Sequence, residues 1–265
     1  MASKTDEVSI TMGGREYVPR AIPLMAEAFA TDPVITYLLH HMTQAQLSAY
    51  LPKYFDGLLT AAAMNKGIFA EADDFKSCTI LIPPGCHVDN FWTLIPAGFI
   101  GMVWDVGIAA TYRMLGDLSP KVDAVKAKAL GGQKRYYYVF FTATDAAARG
   151  QGLCSKLIRK FQDIAQKDGL PIWIEGTTDN SARVYAKCGF ELIERITVGQ
   201  GVVDADGKVK KGGEGVVTRA MIWWPKGENG EKLVPVEEKK EGWRVSYAVG
   251  GLLLLSAIYV ALYLS

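Results

Sequence analysis

The chain has 265 residues, of which 49% are hydrophobic, and its formal net charge is +1 at pH 7. This length supports one domain with a sizeable core and is too short for two large domains, and the balanced charge argues against nucleic acid as a partner. The four cysteines lack paired spacing, which indicates reduced thiols in a domain facing the cytosol.

Short strands and three helices are predicted over the first 82 residues. Alternation and helical spacing of apolar residues give these elements: strand 8–12, helix 18–29, a short helix from Pro33, helix 44–64, and a hairpin of strands 67–72 and 77–82. Pro52 and Gly57 are expected to bend or divide the longest helix, because proline removes a backbone donor and obstructs the preceding turn.

A strongly apolar stretch follows at 91–115. Pro96 and Asp105 argue against a transmembrane segment, since a lone carboxylate in the bilayer costs at least ~2.5 kcal/mol. We expect two apolar helices that cover the domain and lie partly against a membrane surface. Asp105 is expected to pair with Arg113 or, as the weaker alternative, to face a substrate cleft.

The most informative stretch, 136–190, reads as strand, helix, strand, helix. The predicted elements around it are helix 121–130, strand 136–142, an amphipathic helix that begins after Gly152 and ends at Gly169, strand 172–174 closed by Glu175, a short helix that ends near Gly189, and antiparallel strands 191–198 and 216–224.

Glycines stand where the first of these helices begins. The first N–H groups of a helix have no intrahelical acceptor, and the helix dipole makes that end positive. Gly150 and Gly152 would let the backbone approach an anion closely, and Arg149 adds a guanidinium suited to phosphate. Two interpretations stay open: a phosphate or pyrophosphate site, or a glycine turn beside a surface arginine.

Known phosphate loops fit this stretch poorly. No Gly-Lys-Ser/Thr closes a P-loop. A dinucleotide fingerprint is nearly present, with Glu175 ending the next strand, but Ser155 stands where the third glycine should be. A six-residue loop also separates the strand from the glycines. A dinucleotide site is therefore the second interpretation.

The motif Arg149-x-x-Gly152-x-Cys154 resembles the acyl-CoA signature of the GNAT superfamily of N-acetyltransferases. Asn180, followed by Tyr185-x-x-Cys188-Gly189-Phe190, resembles the end of that family's second core helix. The similarity extends over residues 8–224 and is nearest to puromycin N-acetyltransferase-like enzymes. It implies an α/β (α+β) fold with a mixed, mostly antiparallel twisted sheet flanked by helices. Cys154 departs from the Gly or Ala of the family.

The resemblance implies acetyl-CoA as co-substrate and no metal. The pantetheine arm would pair with the backbone where the two core strands splay apart, and the glycine loop would hold the pyrophosphate. The residues assigned to the donor in this way are Phe141, Thr142, Ala143, Arg149, Gly150, Gln151, Gly152, Leu153, Cys154 and Asn180. For Asn180, capping of the helix is an equal alternative.

Two residues are expected to move protons. The resemblance makes Tyr185 the general acid for the leaving thiolate, whereas the residues alone favour core packing. Glu175, at the end of its strand, could take the proton of the attacking amine directly or through water, or could be only a solvated strand end.

The C-terminal region predicts a membrane anchor. After a domain at 1–224, residues 225–244 read as a charged flexible linker. Residues 245–264 carry no charge and are long enough to span a bilayer of about 30 Å. Trp243 and Tyr263 border the run, and Lys239, Lys240 and Arg244 precede it. The positive-inside rule then predicts a single-pass anchor with the domain in the cytosol.

The favoured interpretation is an N-acetyltransferase for the primary amine of a small or lipophilic acceptor, held at a membrane. Acetylation of protein N-termini is a rival within the same chemistry. Two other classes stay open: a non-catalytic acyl-CoA-binding membrane adaptor and a dinucleotide-binding oxidoreductase.

Overall fold

The computed structural model describes residues 8–234. In this part of the chain a seven-stranded sheet carries helices on both faces. The strands are β1 (Ile10–Gly13), β2 (Ile68–Ala72), β3 (Ser77–Ile82), β4 (Tyr137–Thr144), β5 (Ile172–Gly176), β6 (Glu191–Val198) and β7 (Val216–Trp223), in the spatial order β1-β2-β3-β4-β5-β7-β6. β4 and β5 pair in parallel, and the other neighbouring strands pair antiparallel. The predicted mixed, mostly antiparallel sheet is confirmed.

The helices are α1 (Val18–Ala28), α2 (Pro33–Leu38), α3 (Gln44–Met64), α4 (Phe91–Leu94), α5 (Phe99–Tyr112), α6 (Ser119–Leu130), α7 (Leu153–Asp168) and α8 (Asp179–Lys187). α3 begins and ends where the sequence predicts, but it continues as one helix through Pro52 and Gly57. Its capping box and its long buried stripe, which includes Leu51 and Phe55, favour one continuous helix over the break that proline promotes.

The sheet separates two cores. One lies beneath α1, α2, α3, α5 and α6 and includes Phe55 and Trp173. The other lies beneath α7 and α8 and includes Phe161 and Ile174. Trp173 and Ile174 are neighbours in β5, and alternation along a strand sends their side chains to opposite faces.

A gap opens between the two central strands. The parallel pairing of β4 and β5 ends at Val139 and Ile174, whereas β4 continues beside β3 to Thr144. The register of β4 against β3 slips at Phe140, and such a bulge bends a strand and increases its twist. The two strands therefore part toward their carboxyl ends, which is the side on which α7 begins.

The apolar stretch at 91–115 forms the two expected helices, α4 and α5, but the expected ion pair is wrong. Asp105 pairs with Lys53 at 2.6 Å, and Arg113 donates to the carbonyl of Leu38 from Nε and Nη2. Non-helical φ/ψ angles at Gly107 kink α5 between Asp105 and Arg113, and the facing helix α3 supplies the nearer partner.

The described chain continues past the predicted domain boundary at 224. Residues 225–234 turn back on themselves through a bridge between Lys226 and Lys232. Lys226 N donates to Gln166 on α7, and Lys232 pairs with Glu191 at the start of β6. No helix within 8–234 is both long and apolar enough to cross a bilayer. The rest of the predicted linker and the predicted anchor at 245–264 lie outside the described residues.

Candidate active site

The glycine loop lies at the surface where α7 begins. Gly150 and Gly152 have φ of 80° and 76°, in the left-handed region that glycine adopts without strain. The first backbone bond of the helix runs from Lys156 N to the carbonyl of Gly152. The N–H groups of 150–155 donate to no acceptor within 8–234. They form the positive end of a helix dipole that is open to an anion.

Side chains brace this loop from behind. Arg149 is exposed, and its Nε donates to the carbonyl of Thr144 at 3.3 Å. Gln151 Nε2 approaches the carbonyl of Ala147 at 3.5 Å, and Asp145 accepts a bond from Ala147 N at 2.7 Å. These bonds tie the loop to the end of β4 and leave the exposed N–H groups unused.

The end of β4 presents its backbone toward the gap, because its side chains point to the two faces of the sheet. Phe141 packs edge-on against Phe55 in the first core, and Ala143 is buried there. Thr142 points to the other face, where its Oγ1 lies 3.5 Å from the Sγ of Cys154. After Val139, the edge of β4 toward β5 pairs with no strand within 8–234. These backbone groups are available to an extended ligand.

Leu153 and Cys154 begin α7 with apolar side chains. Leu153 is buried in the second core, so only its N–H can serve a ligand. Burial raises the pKa of the Cys154 thiol to about 11. At neutral pH this thiol is protonated, which favours small-residue packing over a nucleophilic role.

Tyr185 lies on α8, on the face of the sheet that carries α7. Its ring packs near Phe190 in the second core, and burial, followed by the fields of Cys154 and Asp32, raises its pKa well above the ordinary value. Its hydroxyl forms no hydrogen bond within the described chain, and the residue is only 4% exposed. The phenol is therefore protonated and has no hydrogen-bond partner among residues 8–234.

Glu175 lies on the other face of the sheet. It is half-buried, accepts a hydrogen bond from Trp173 Nε1, and contributes to the field at Tyr185. Burial raises the pKa of its carboxyl, while the charge of Lys126 and hydrogen bonds from Tyr138 and Trp173 oppose that rise. A carboxylate with a raised pKa suits a general base near neutral pH.

Sequence reasoning missed the hydrogen-bonded pair of Asp32 and Thr177, of which Thr177 lies two residues past Glu175 in the chain. Asp32 accepts bonds from Val34 N and Ile35 N at the start of α2, and its other oxygen accepts from Thr177 Oγ1, just past β5. Burial raises the pKa of Asp32, and its field also reaches Tyr185. An Asp before a Pro is a helix-cap signal, but a partner 145 positions away leaves no local trace.

Asn180 is exposed on the first turn of α8. The cap of that helix is Thr178, which forms a capping box with Ser181. The expectation that Asn180 caps the helix is wrong, because Thr178 holds the extended conformation that a cap requires. The alternative role of Asn180, toward the pantetheine arm, stays a prediction.

An open cleft of about 610 Å³ lies on the helical face that carries α2 and α5. Tyr37, Tyr112, Ile108 and Arg113 contribute to its lining. Among the described residues there is no cluster of His, Cys, Asp and Glu that could hold a metal ion.

The sheet argues against a dinucleotide-binding oxidoreductase. That fold needs a mostly parallel sheet with the glycine turn directly after its first strand. Here β4 and β5 form the one parallel pair among the strands of 8–234. The short helical turn Ala146–Ala148 also separates β4 from the glycines.

Comparison with known proteins points to one superfamily. Residues 86–190 match the model of the acetyltransferase (GNAT) family. An N-acetyltransferase of Schizosaccharomyces pombe, described as uncharacterized, is 23% identical over 172 residues, which are 64% of this chain and 69% of that protein.

Two solved structures share the fold. One is described as histone acetyltransferase HPA2 and related acetyltransferase from Corynebacterium glutamicum, with 20% identity, a TM-score of 0.52, and coverage of 81% of this chain and 94% of that one. The other is arylalkylamine N-acetyltransferase 2 from Aedes aegypti, with 15% identity, a TM-score of 0.55, and coverage of 82% and 99%. The partial family match, the yeast relative and the shared fold together support an N-acetyltransferase enzyme with a GNAT-like fold.

Proposed function

We propose that the chain transfers the acetyl group of acetyl-CoA directly to the primary amine of a small or lipophilic acceptor, with Tyr185 as general acid. The observation that carries this proposal is the gap between β4 and β5. Beyond Val139 the backbone of β4 is unpaired, and the face of the sheet on which α7 begins with open N–H groups also holds the unbonded phenol of Tyr185.

The donor side supports acetyl-CoA as the co-substrate. A diphosphate fits the open N–H groups of 150–155 and the nearby Arg149, because both favour an anion. An extended amide arm fits the unpaired edge of β4 beyond Val139, since that edge offers donors and acceptors in strand geometry. This arrangement would bring the thioester to the level of Tyr185.

Proton movements then follow from the two ionisable side chains. The amine nitrogen forms a bond to the thioester carbon, and the carbon–sulfur bond breaks. Tyr185 keeps its proton because its pKa is raised, so it can give that proton to the departing thiolate. Glu175 takes the proton that the amine loses, directly or through water.

The acceptor side favours an amine with an apolar body. The cleft next to α2 and α5 is lined largely by apolar and aromatic side chains, among them Tyr37, Ile108 and Tyr112. The solved relative from Aedes aegypti is named for arylalkylamines, which combine an amine with an aromatic body. A resemblance to puromycin N-acetyltransferase-like enzymes is part of the same proposal.

A screen tests this proposal. Purified full-length protein is mixed with acetyl-CoA and a library of amines, and thiol release is followed. We expect release with at least one primary amine that carries an apolar body, and none with tertiary amines of the same shape. Thiol release that never depends on an added amine would contradict the proposal.

We also propose that residues 245–264 anchor the protein in a membrane with the domain on the cytosolic side. The uncharged run, its aromatic borders and the preceding Lys239, Lys240 and Arg244 support this. Deletion of 245–265 is expected to move the protein from the membrane pellet to the supernatant. Extraction of the full-length protein by high salt alone would contradict an anchor.

A further inference from the structure

Helix α5 is apolar on both of its faces. Its inner side chains, Met102, Val106 and Ala110, are buried in the first core. Its outer side chains repeat every four residues and are exposed: Ile100 by 56%, Trp104 by 80%, Ile108 by 49% and Tyr112 by 59%. We call these four residues the outer α5 face. A helix that is apolar all round is normally covered on every side, and no part of 8–234 covers this face.

The outer α5 face is also electrically neutral. Within α5 the one charged residue is Asp105, and Lys53 pairs with it at 2.6 Å. A neutral face does not suit a basic or an acidic protein partner. Trp104 and Tyr112 combine apolar rings with a single polar group, which is the side-chain type that concentrates where a bilayer meets water.

The end of the chain indicates what covers the face. Beyond Val234 the sequence has a charged stretch and then the uncharged run at 245–264. Ten residues lie between Val234 and Val245, and an extended chain over these eleven steps reaches at most about 40 Å. A bilayer that holds the run therefore lies within about 40 Å of Val234, close enough for the surface of the domain to contact it.

We propose that the outer α5 face lies in the headgroup region of a zwitterionic bilayer, as a second membrane contact besides the C-terminal run. This goes beyond the proposed transfer reaction, because it fixes how the domain sits on the membrane. Ile108 and Tyr112 belong both to this face and to the lining of the open cleft. The cleft mouth then lies at the lipid surface, where amphiphilic amines accumulate.

The test uses the fluorescence of Trp104 in the full-length protein. Parent and Trp104→Phe are each mixed with phosphatidylcholine vesicles whose acyl chains carry bromine, which quenches tryptophan on contact. We expect the vesicles to quench more fluorescence in the parent than in Trp104→Phe, because Trp104 contributes only to the emission of the parent. This difference should appear at low and at high salt. Trp223→Phe, which alters a half-buried tryptophan of β7, is the matched control and should quench as the parent does.

Two results would overturn the proposal. One is equal quenching of the parent and Trp104→Phe, and vesicle flotation of the same samples then tells whether the C-terminal anchor has failed as well. The other concerns hydrogen exchange of the backbone of 99–112. The proposal fails if this exchange is already slow without vesicles and the addition of vesicles does not slow it further. That pattern would assign the face to the C-terminal run or to a second copy of the chain. Neither measurement depends on catalysis, so the transfer reaction stands or falls separately.

Discussion

The two faces of the sheet offer different groups to the substrates of the proposed reaction. On the α7 side, the donor would meet backbone: the open N–H groups of 150–155 and the unpaired edge of β4. On the α2 and α5 side, the acceptor would meet side chains such as Glu175, Asp32 and Tyr37. A backbone site demands glycine at fixed positions, whereas a side-chain site can be assembled from distant residues. The first is therefore common to many enzymes, and the second decides the substrate.

Tyr185 lies in the second core, but the electrostatic fields of Asp32 and Glu175 reach it, and its loss is expected to have the largest effect. Tyr185→Phe should lower kcat by roughly 10²–10⁴-fold, because the departing thiolate loses its proton donor. The affinity for acetyl-CoA, measured by calorimetry, should stay unchanged. Tyr137→Phe is the control, since that phenol donates to Asp168 at the far end of β4. Full turnover of Tyr185→Phe at saturating acetyl-CoA would remove the residue from the mechanism.

Substitution of Glu175 should affect only the acceptor side of the proposed reaction. Glu175→Gln should lower kcat/KM by about 10²-fold, the low end for a general base, because water can take part of the proton load. In the parent, kcat/KM should fall as pH drops through the raised pKa of Glu175, since the protonated carboxyl cannot accept a proton. The variant should lose this acid limb. Glu194→Gln, on the exposed part of β6, should keep it, and a limb that survives Glu175→Gln would belong to another group.

Substitution of Arg149 should affect only the binding of the donor, acetyl-CoA. Arg149→Glu should weaken acetyl-CoA binding by about tenfold or more, because a charged hydrogen bond contributes about 1.5–3 kcal/mol and the new carboxylate repels phosphate. The KM of the amine should change little. Arg159→Glu, an exposed site farther along α7, is the matched control for net charge. Equal affinities of the two variants by calorimetry would show that Arg149 does not touch the co-substrate.

The difference between the faces also explains which features the sequence predicts. The bounds of α3 and the glycine loop follow from local signals, namely a capping box at Thr43 and residues that tolerate positive φ. The partner of Asp105 was predicted wrongly, because the kink at Gly107 and the facing Lys53 leave no trace near Asp105 in the chain.

The gap between the core strands depends on features far apart in the chain. A bulge in β4 opens it, and that bulge exists only against β3. Local patterns therefore predicted the elements and the conformation of the glycine loop. They could not predict the hydrogen bond from Thr177 to Asp32, because these residues lie 145 positions apart in the chain.

The smallest expected effect concerns the contact that joins the acceptor helices to β5. Asp32→Ala should cost about 1 kcal/mol in the free energy of unfolding, through loss of the α2 cap. Its kcat should also fall, because Thr177 loses its acceptor beside Glu175.

Burial raises the pKa of Asp32, so its contribution to stability is complete below the unfolded pKa and is lost as pH rises through the folded pKa. In urea unfolding, the loss of stability in Asp32→Ala should therefore become smaller as the pH rises above the unfolded pKa of about 4. Thr43→Ala removes the equivalent cap of α3 and should cost similar stability with unchanged kcat. If both variants lose stability alike and neither loses turnover, Asp32 caps a helix and does nothing for the acceptor site.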